Sequence, residues 1–560
     1  MRPKGICAIS GAYLGGLVKP FVVTLALAGA AFAQQASPGI PKIKFSDATL
    51  DNGLRVLISE DHYAPVYAIC ISYKVGSRDE RPGRTGFAHL FEHMMFKGSE
   101  NVGTGELDFL IYNNGGNSNG TTNTDRTSYY EVLPKNQVDL GLYLEADRMH
   151  GLVITQENLE NQRQAVKEER RLRVDNQAYG QTSEKVEELI YDNFAYHHPV
   201  VGSLADLDAA SVDDVKQFFK TYYAPNNAVL ALVGDLNTAE TLAKVKKYFG
   251  AIQRQTAPKP VDLSEQPLKA ERRATLQDPL ARLAEVDIAY RIPDATSPET
   301  RALGVAASIL GGGGRGGRGG GGGNTSRLYN LLVQDKEVAL NVSAGAERRG
   351  GPGIFHVNAT IRQGKTPQEV EGLIEEEISK LYSQPVTDKE LQRARIAMRR
   401  SAENRLTALS RAQALADAAA VYNNPNRVNT EIPAELAVTA ADIQKAAKDL
   451  LVRAGERAMA ALAMEEAATH YKLALDALQF LPMSAENRRR RFDLHFRRGR
   501  SFSQAGNWGP AKGFGNGGQV RRDPRRGKAR RVVRRPRGSF VWGAGCGGRS
   551  ALCRGGAEAG

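Results

Sequence analysis

The chain is 560 residues long with a formal net charge of +13, room for two or three domains and an ample core. The charge is unevenly spread: residues 481–560 carry 20 Lys+Arg against 4 Asp+Glu, which leaves 55 basic and 58 acidic residues before them. A near-neutral body argues against a nucleic-acid binder, and no nucleic-acid partner is expected.

Arg2 and Lys4 precede an apolar run over 21–33 that ends Ala31-Phe32-Ala33 before Gln34. This is the pattern of a secretory signal peptide, residues 1–33, with an A-x-A cleavage site. The run is too short to span a bilayer comfortably, and no other stretch approaches that length. The mature chain is therefore expected to be exported, periplasmic or secreted, without a membrane span. Of the four cysteines, Cys7 leaves with the leader and Cys70 sits in a strand-like run as a buried thiol. Cys546 and Cys553 have the means to pair, but no disulfide framework or zinc-ligand spacing is present.

Residues 56–58 and 67–75 read as strands. A helix is predicted over 85–97, and it holds His89-Leu90-Phe91-Glu92-His93. One helical turn stacks His89 and His93 on the same face, where two imidazoles can hold zinc at about 2.0–2.1 Å. Glu92 then lies beside the metal, free to take a proton from a water. This HxxEH order is the reverse of HExxH and is a zinc-protease signature. Nine His in 560 residues give about 0.14 chance pairs at this spacing, and a Glu at the third position brings that to ~0.01. Phe87, Leu90, Phe91, Met94 and Met95 make the helix apolar on most sides, and a lone buried His is more often a core residue than a ligand. The full triplet favours metal chemistry.

Further along, 115–119 is turn chemistry leading into a Thr- and Tyr-rich strand over 121–132. Helices are predicted over 139–148, 156–176 and 212–223, with a buried strand over 228–234. A polar, Pro-containing linker follows. A second unit repeats the order: strand 286–290, helix 299–310, strand 353–361, and helices over 365–382 and 388–422. Residues 311–323, almost pure Gly and Arg, read as a flexible loop and lack a phosphate-loop context. Spacings over 467–511 loosely match a tetratricopeptide repeat, and from 512 onward the Arg/Gly composition predicts disorder.

Over roughly 44–452 the chain resembles the pitrilysin-like (M16) metallopeptidases, the inverzincins that include mitochondrial processing peptidase. The resemblance rests on the thirteen-residue run from Gly86 to Gly98 around the HxxEH. It extends through Asn119-Gly120-Thr121-Thr122 with Asp125, Thr127 and Tyr129, and through Val166-Lys167-Glu168-Glu169-Arg170-Arg171. Tyr223-Ala224-Pro225-Asn226-Asn227, Val233-Gly234-Asp235 and Ser326-Arg327-Leu328-Tyr329 complete it. It implies a third zinc ligand, a Glu roughly 76 residues after the second His. Leu159, Gln162, Val166 and Glu169 share one helical face, but Ala165, Glu168 and Leu172 form a competing stripe, so periodicity leaves both carboxylates open. The match to the family motif selects Glu169. A supporting Glu common in the family is replaced here by Gln162. The Arg and Tyr that many members bring from the second domain fall on Gln334 and Leu340.

The resemblance implies an α+β fold of two similar domains, each a mainly antiparallel sheet packed with helices. Expected boundaries are 44–255 for the zinc-bearing domain, 256–275 for the linker and 276–455 for the second, non-zinc domain. A tetratricopeptide-like segment (456–515) and a disordered tail (516–560) follow. The expected activity is zinc-dependent endopeptidase, with one Zn2+ on His89, His93 and Glu169 and Glu92 as general base. Asn119, Gly120 and Thr121 are expected on an edge strand that pairs with peptide substrates. A homodimer, or a heterodimer with a second M16-like subunit, is the expected assembly. The rival reading is a non-catalytic or partner-dependent subunit.

Overall fold

The computed structural model describes residues 40–268, 270–312 and 325–460, with scattered positions between 475 and 494. The expected leader, the Gly-rich stretch after Gly312, nearly all of 461–515 and the whole tail lie outside the described residues, as do Cys7, Cys546 and Cys553.

The fold is α+β. Six strands form the first sheet: β1 (Ser46–Thr49), β2 (Arg55–Glu60), β3 (Val66–Tyr73), β4 (Asn117–Thr122), β5 (Thr127–Pro134) and β6 (Ala228–Gly234). Their order is β1-β2-β6-β3-β5-β4, antiparallel except for the β2/β6 pair. The second sheet is antiparallel, β7 (Glu285–Ile292), β9 (Gly353–Ile361) and β8 (Ala339–Glu347) in that order. No helix among the described residues is long and apolar enough to cross a membrane.

β6 reads Ala-Val-Leu-Ala-Leu-Val-Gly, and all seven residues are buried. A strand paired on both sides and covered on both faces has no use for polar positions. Its side chains divide with period two. Leu230 and Leu232 join Phe87, Leu90, Phe91 and Met94 in the main core, whereas Val229, Ala231 and Val233 face the other way with Leu57, Ala68 and Cys70. That second face is covered by a helix from far down the chain, Ala408–Tyr422, through Ala412, Leu415, Ala416 and Ala419. Cys70 is a buried free thiol there.

Three expectations need correction. The run 121–132 is not one strand but parts of the β4–β5 hairpin, because Asn123 Oδ1 accepts from the amides of Asp125 and Arg126 and turns the chain. The helix predicted over 156–176 is α-helical only through Arg170 and continues as a π-turn, Arg171–Asp175. The stretch 388–422 holds two helices, since Thr407 caps a new one by accepting from Ser410 N. β8 was not foreseen. Residues 256–268 and 270–275 carry no helix or strand, yet Glu265 is fastened to Arg291 at 3.2 Å.

Candidate metal centre

The helix Phe87–Met94 begins at Gly86, whose φ of +83° suits glycine and whose missing Cβ would lie 2.5 Å from Val201 O. Its first amides are not left to water. The buried Glu80 carboxylate accepts from Gly86 N at 2.8 Å and Ala88 N at 2.7 Å, at the positive end of the helix dipole. Phe87, Leu90, Phe91 and Met94 face the core, which leaves His89, Glu92 and His93 for the opposite side.

The second contributor is the helix Gln156–Arg170. Leu159 and Val166 are fully buried, and Arg163 ties the helix down by donating to Leu207 O and Ala210 O. That fixes its rotation. Glu169 turns to the histidines, with Oε2 at 3.5 Å from His89 Nε2 and 3.2 Å from His93 Nε2. Glu168 points away, mostly exposed and paired with Arg171. Among the described residues, His89, His93 and Glu169 form the one cluster with metal-ligand geometry. Two ligand atoms, each about 2.0–2.2 Å from a zinc ion at a tetrahedral angle, stand ~3.3–3.5 Å apart, so the observed spacings fit zinc. Burial pushes His89 down to about 4, keeping the imidazole neutral and able to offer a lone pair. The hydrogen bond from His93, helped by the Arg173 guanidinium, holds Glu169 below the usual carboxylate range. Gln162 donates to Asn161, and His89 Nδ1 is buried without a hydrogen-bond partner.

Glu92 stands beside this cluster. Its Oε2 accepts from Thr122 Oγ1 at 2.6 Å. Burial raises its pKa, and the Thr122 bond opposes the rise. Period two puts Gly120 and Thr122 on the face of β4 that meets Glu92. A Cβ at Gly120 would lie 2.9 Å from Glu92 Cγ, so a glycine is needed there for close approach. Asn119 is exposed, with its Oδ1 accepting from Gly120 N, and Thr121 O accepts from Arg126. β4 is an edge strand, paired only with β5.

Sequence reasoning missed three residues here. Thr122 lies in the motif with nothing local to mark its role, because its contact with Glu92 depends on how the sheet lies over the helix. Glu80 carried no local signal. Arg173, four residues after Glu169 and paired with it, was findable from helical spacing.

A helical HxxEH set against an edge strand, with a carboxylate from a second helix beside it, has the motif order of the inverzincins on an α+β scaffold. Residues 55–206 match the family described as insulinase (peptidase family M16), and residues 209–398 match the peptidase M16 inactive domain. The chain belongs to the M16 peptidase family. It is 29% identical over 363 residues to the zinc protease PqqE of Helicobacter pylori, spanning 63% of this chain and 78% of that one. It is 26% identical to a probable mitochondrial-processing peptidase subunit beta of Arabidopsis thaliana, over 63% and 66% of the two chains. The crystal structure of a protease from Helicobacter pylori superposes with a TM-score of 0.68 at 26% identity, covering 73% of this chain and 97% of that one.

Proposed function

We propose that this chain is an exported zinc endopeptidase that cleaves peptides or unfolded polypeptide segments, with one zinc ion held by His89, His93 and Glu169. The observation that carries the reading is the gathering of three ligand atoms, two imidazole and one carboxylate, beside a second carboxylate, Glu92, that is not among them. A bound zinc ion supplies Lewis acidity, lowering the pKa of a water and polarising the scissile carbonyl. Glu92 takes the proton from the attacking water and passes it to the leaving amine; water's OH ends on the carbonyl carbon and its hydrogen on the amine nitrogen. Thr122 keeps the Glu92 carboxylate aimed. The free edge of β4 at Asn119, Gly120 and Thr121 pairs with the extended substrate by strand addition. In this reading 44–255 carries the chemistry, 276–455 is the second half, and export follows from Arg2, Lys4 and the apolar run 21–33.

A second reading, a partner-dependent or non-catalytic M16-like subunit, is favoured by one observation. Gln334 and Leu340, where the resemblance puts an Arg and a Tyr, are exposed, and Leu340 donates nothing. Losing one oxyanion donor typically costs ~3–4 kcal/mol. A homodimer or a second M16-like chain would have to make good that loss. The test is zinc content and hydrolysis of an unstructured peptide by the chain from Gln34, with and without Glu92→Gln. Retained zinc with nearly all turnover lost supports the peptidase. A Glu92→Gln variant as fast as wild type sinks it. Zinc without turnover, restored by adding the partner, supports the second reading.

A further inference from the structure

We propose that Arg173 is a positioning residue of the metal centre: its guanidinium holds one oxygen of Glu169 so that only the other faces the two imidazoles. The proposal rests on the zinc reading above. The two carboxylate oxygens have different tasks. Oε2 lies 3.2 Å and 3.5 Å from the imidazole Nε2 atoms, while Oε1 receives Arg173 Nη1 at 2.6 Å. Among the described residues no other charged side chain from outside the ligand set is paired with a ligand. Gln162, at the position of the family's supporting carboxylate, is engaged with Asn161 instead, so the usual second partner is missing and Arg173 stands in another place.

The local backbone favours this pairing. Glu169 is one residue from the end of its α-helix, and the chain continues through the π-turn Arg171–Asp175, closed by Asn176 N donating to Arg171 O at 2.8 Å. Single π-turns are frequent at functional sites. Arg173 is 76% exposed, against 18% for Glu169, so it holds the carboxylate from the solvent side without being part of the core.

The chemistry gives this contact a purpose. A catalytic zinc site takes three protein ligands and keeps a fourth position for water or substrate. A carboxylate free to rotate can bind through both oxygens and fill that position. A guanidinium on Oε1 leaves Oε2 as the single ligand atom. Partners that orient ligands in this way commonly matter nearly as much as the ligands themselves.

The test uses the full chain with Co2+ in place of zinc, because the visible spectrum reports coordination number independently of turnover. Wild type and Arg173→Lys should give the intense bands of a four-coordinate ion. Arg173→Met should bind the metal but lose band intensity relative to wild type as Glu169 becomes bidentate and the coordination number rises. Arg171→Met, which removes a neighbouring Arg that pairs with Glu168, should keep the wild-type spectrum. The melting temperature of the metal-free protein should be unchanged in all three, since Arg173 is too exposed to support the core. An Arg173→Met spectrum superimposable on wild type overturns the proposal, as does an equal loss in Arg171→Met. A wild-type chain that takes up neither Co2+ nor Zn2+ fails the zinc reading instead.

Discussion

Thr122 and Gly120 act on Glu92 from the same face of β4, one by a hydrogen bond and one by having no side chain. Thr122→Val keeps the shape and removes the donor. It should retain zinc and KM but lower kcat about 10- to 100-fold, the usual effect of a reacting group misplaced by a fraction of an ångström to 1 Å. Thr122→Ser should recover most of the loss. Equal kcat for the Val variant and wild type would show that the bond does no positioning. At this scale the sequence was readable where chemistry is local. His89, Glu92 and His93 come from one helical turn. The choice between Glu168 and Glu169 was not readable from periodicity, because both stripes contain apolar residues. What separates them is the complete burial of Leu159 and Val166, which turns Glu169 inward and leaves Glu168 in solvent. Thr122 was hidden for another reason: its partner lies 30 positions away on a different element.

Elements show the same division between local and distant causes. β6 and β9 declare themselves through unbroken or alternating apolar runs bounded by turn residues. The β4–β5 hairpin does not, because its turn residues Asn123 and Asp125 are polar in a stretch already rich in Thr. How the helix that carries His89, Glu92 and His93 is anchored was also invisible. Burial pushes the Glu80 carboxyl well above the usual range, yet it still satisfies two amides. Glu80→Ala should leave those amides unpaired and cost about 1–3 kcal/mol in a denaturant melt, whereas Glu80→Gln, which keeps a neutral acceptor, should cost less. Equal losses in the two variants would mean that one neutral acceptor does not replace the carboxyl, whose two oxygens each take one amide.

The Ser326-Arg327-Leu328-Tyr329 stretch has a comparable explanation. Arg327 donates twice to Glu390, at 2.6 Å and 3.0 Å, and Glu390 in turn closes the capping box of Thr387. Burial alone would raise the Glu390 pKa, but the bonds from Arg327 and Thr387 outweigh it and hold the carboxyl at about 2, against an ordinary 4.5. A folded pKa below the unfolded one means that this contribution is complete above pH 4.5 and fades as the pH falls towards 2. The gap in melting temperature between wild type and Glu390→Gln should therefore be widest above pH 5 and narrow steadily through pH 3. A gap that widens on acidification contradicts the assignment.

The whole molecule is held together by a return of the chain that its sequence hardly announces. The helix Ala408–Tyr422 is rich in alanine and reads as neutral filler. Its small residues let it lie close against the far face of the first sheet, over Leu57, Ala68, Cys70, Val229, Ala231 and Val233. Its Asp417 accepts from Ser72 and Ser128 and forms an ion pair with Arg126 in the β4–β5 turn. The hairpin that meets Glu92 is thus fastened from behind by a segment 280 or more positions later in the chain. Two consequences follow from this packing. Ala416→Leu should destabilise the protein by about 1–3 kcal/mol, since no space exists for the added carbons. Cutting the chain at the expected linker should not yield an independent first half. Residues 40–275 alone would expose the sheet's apolar far face, a patch of the kind that drives association. Expressed alone, this piece should bind a hydrophobic dye and aggregate; expressed together with 276–460, it should be recovered as a soluble pair. A monomeric 40–275 that melts cooperatively and binds no dye would show that the returning helix is dispensable to the sheet against which the candidate metal site is built.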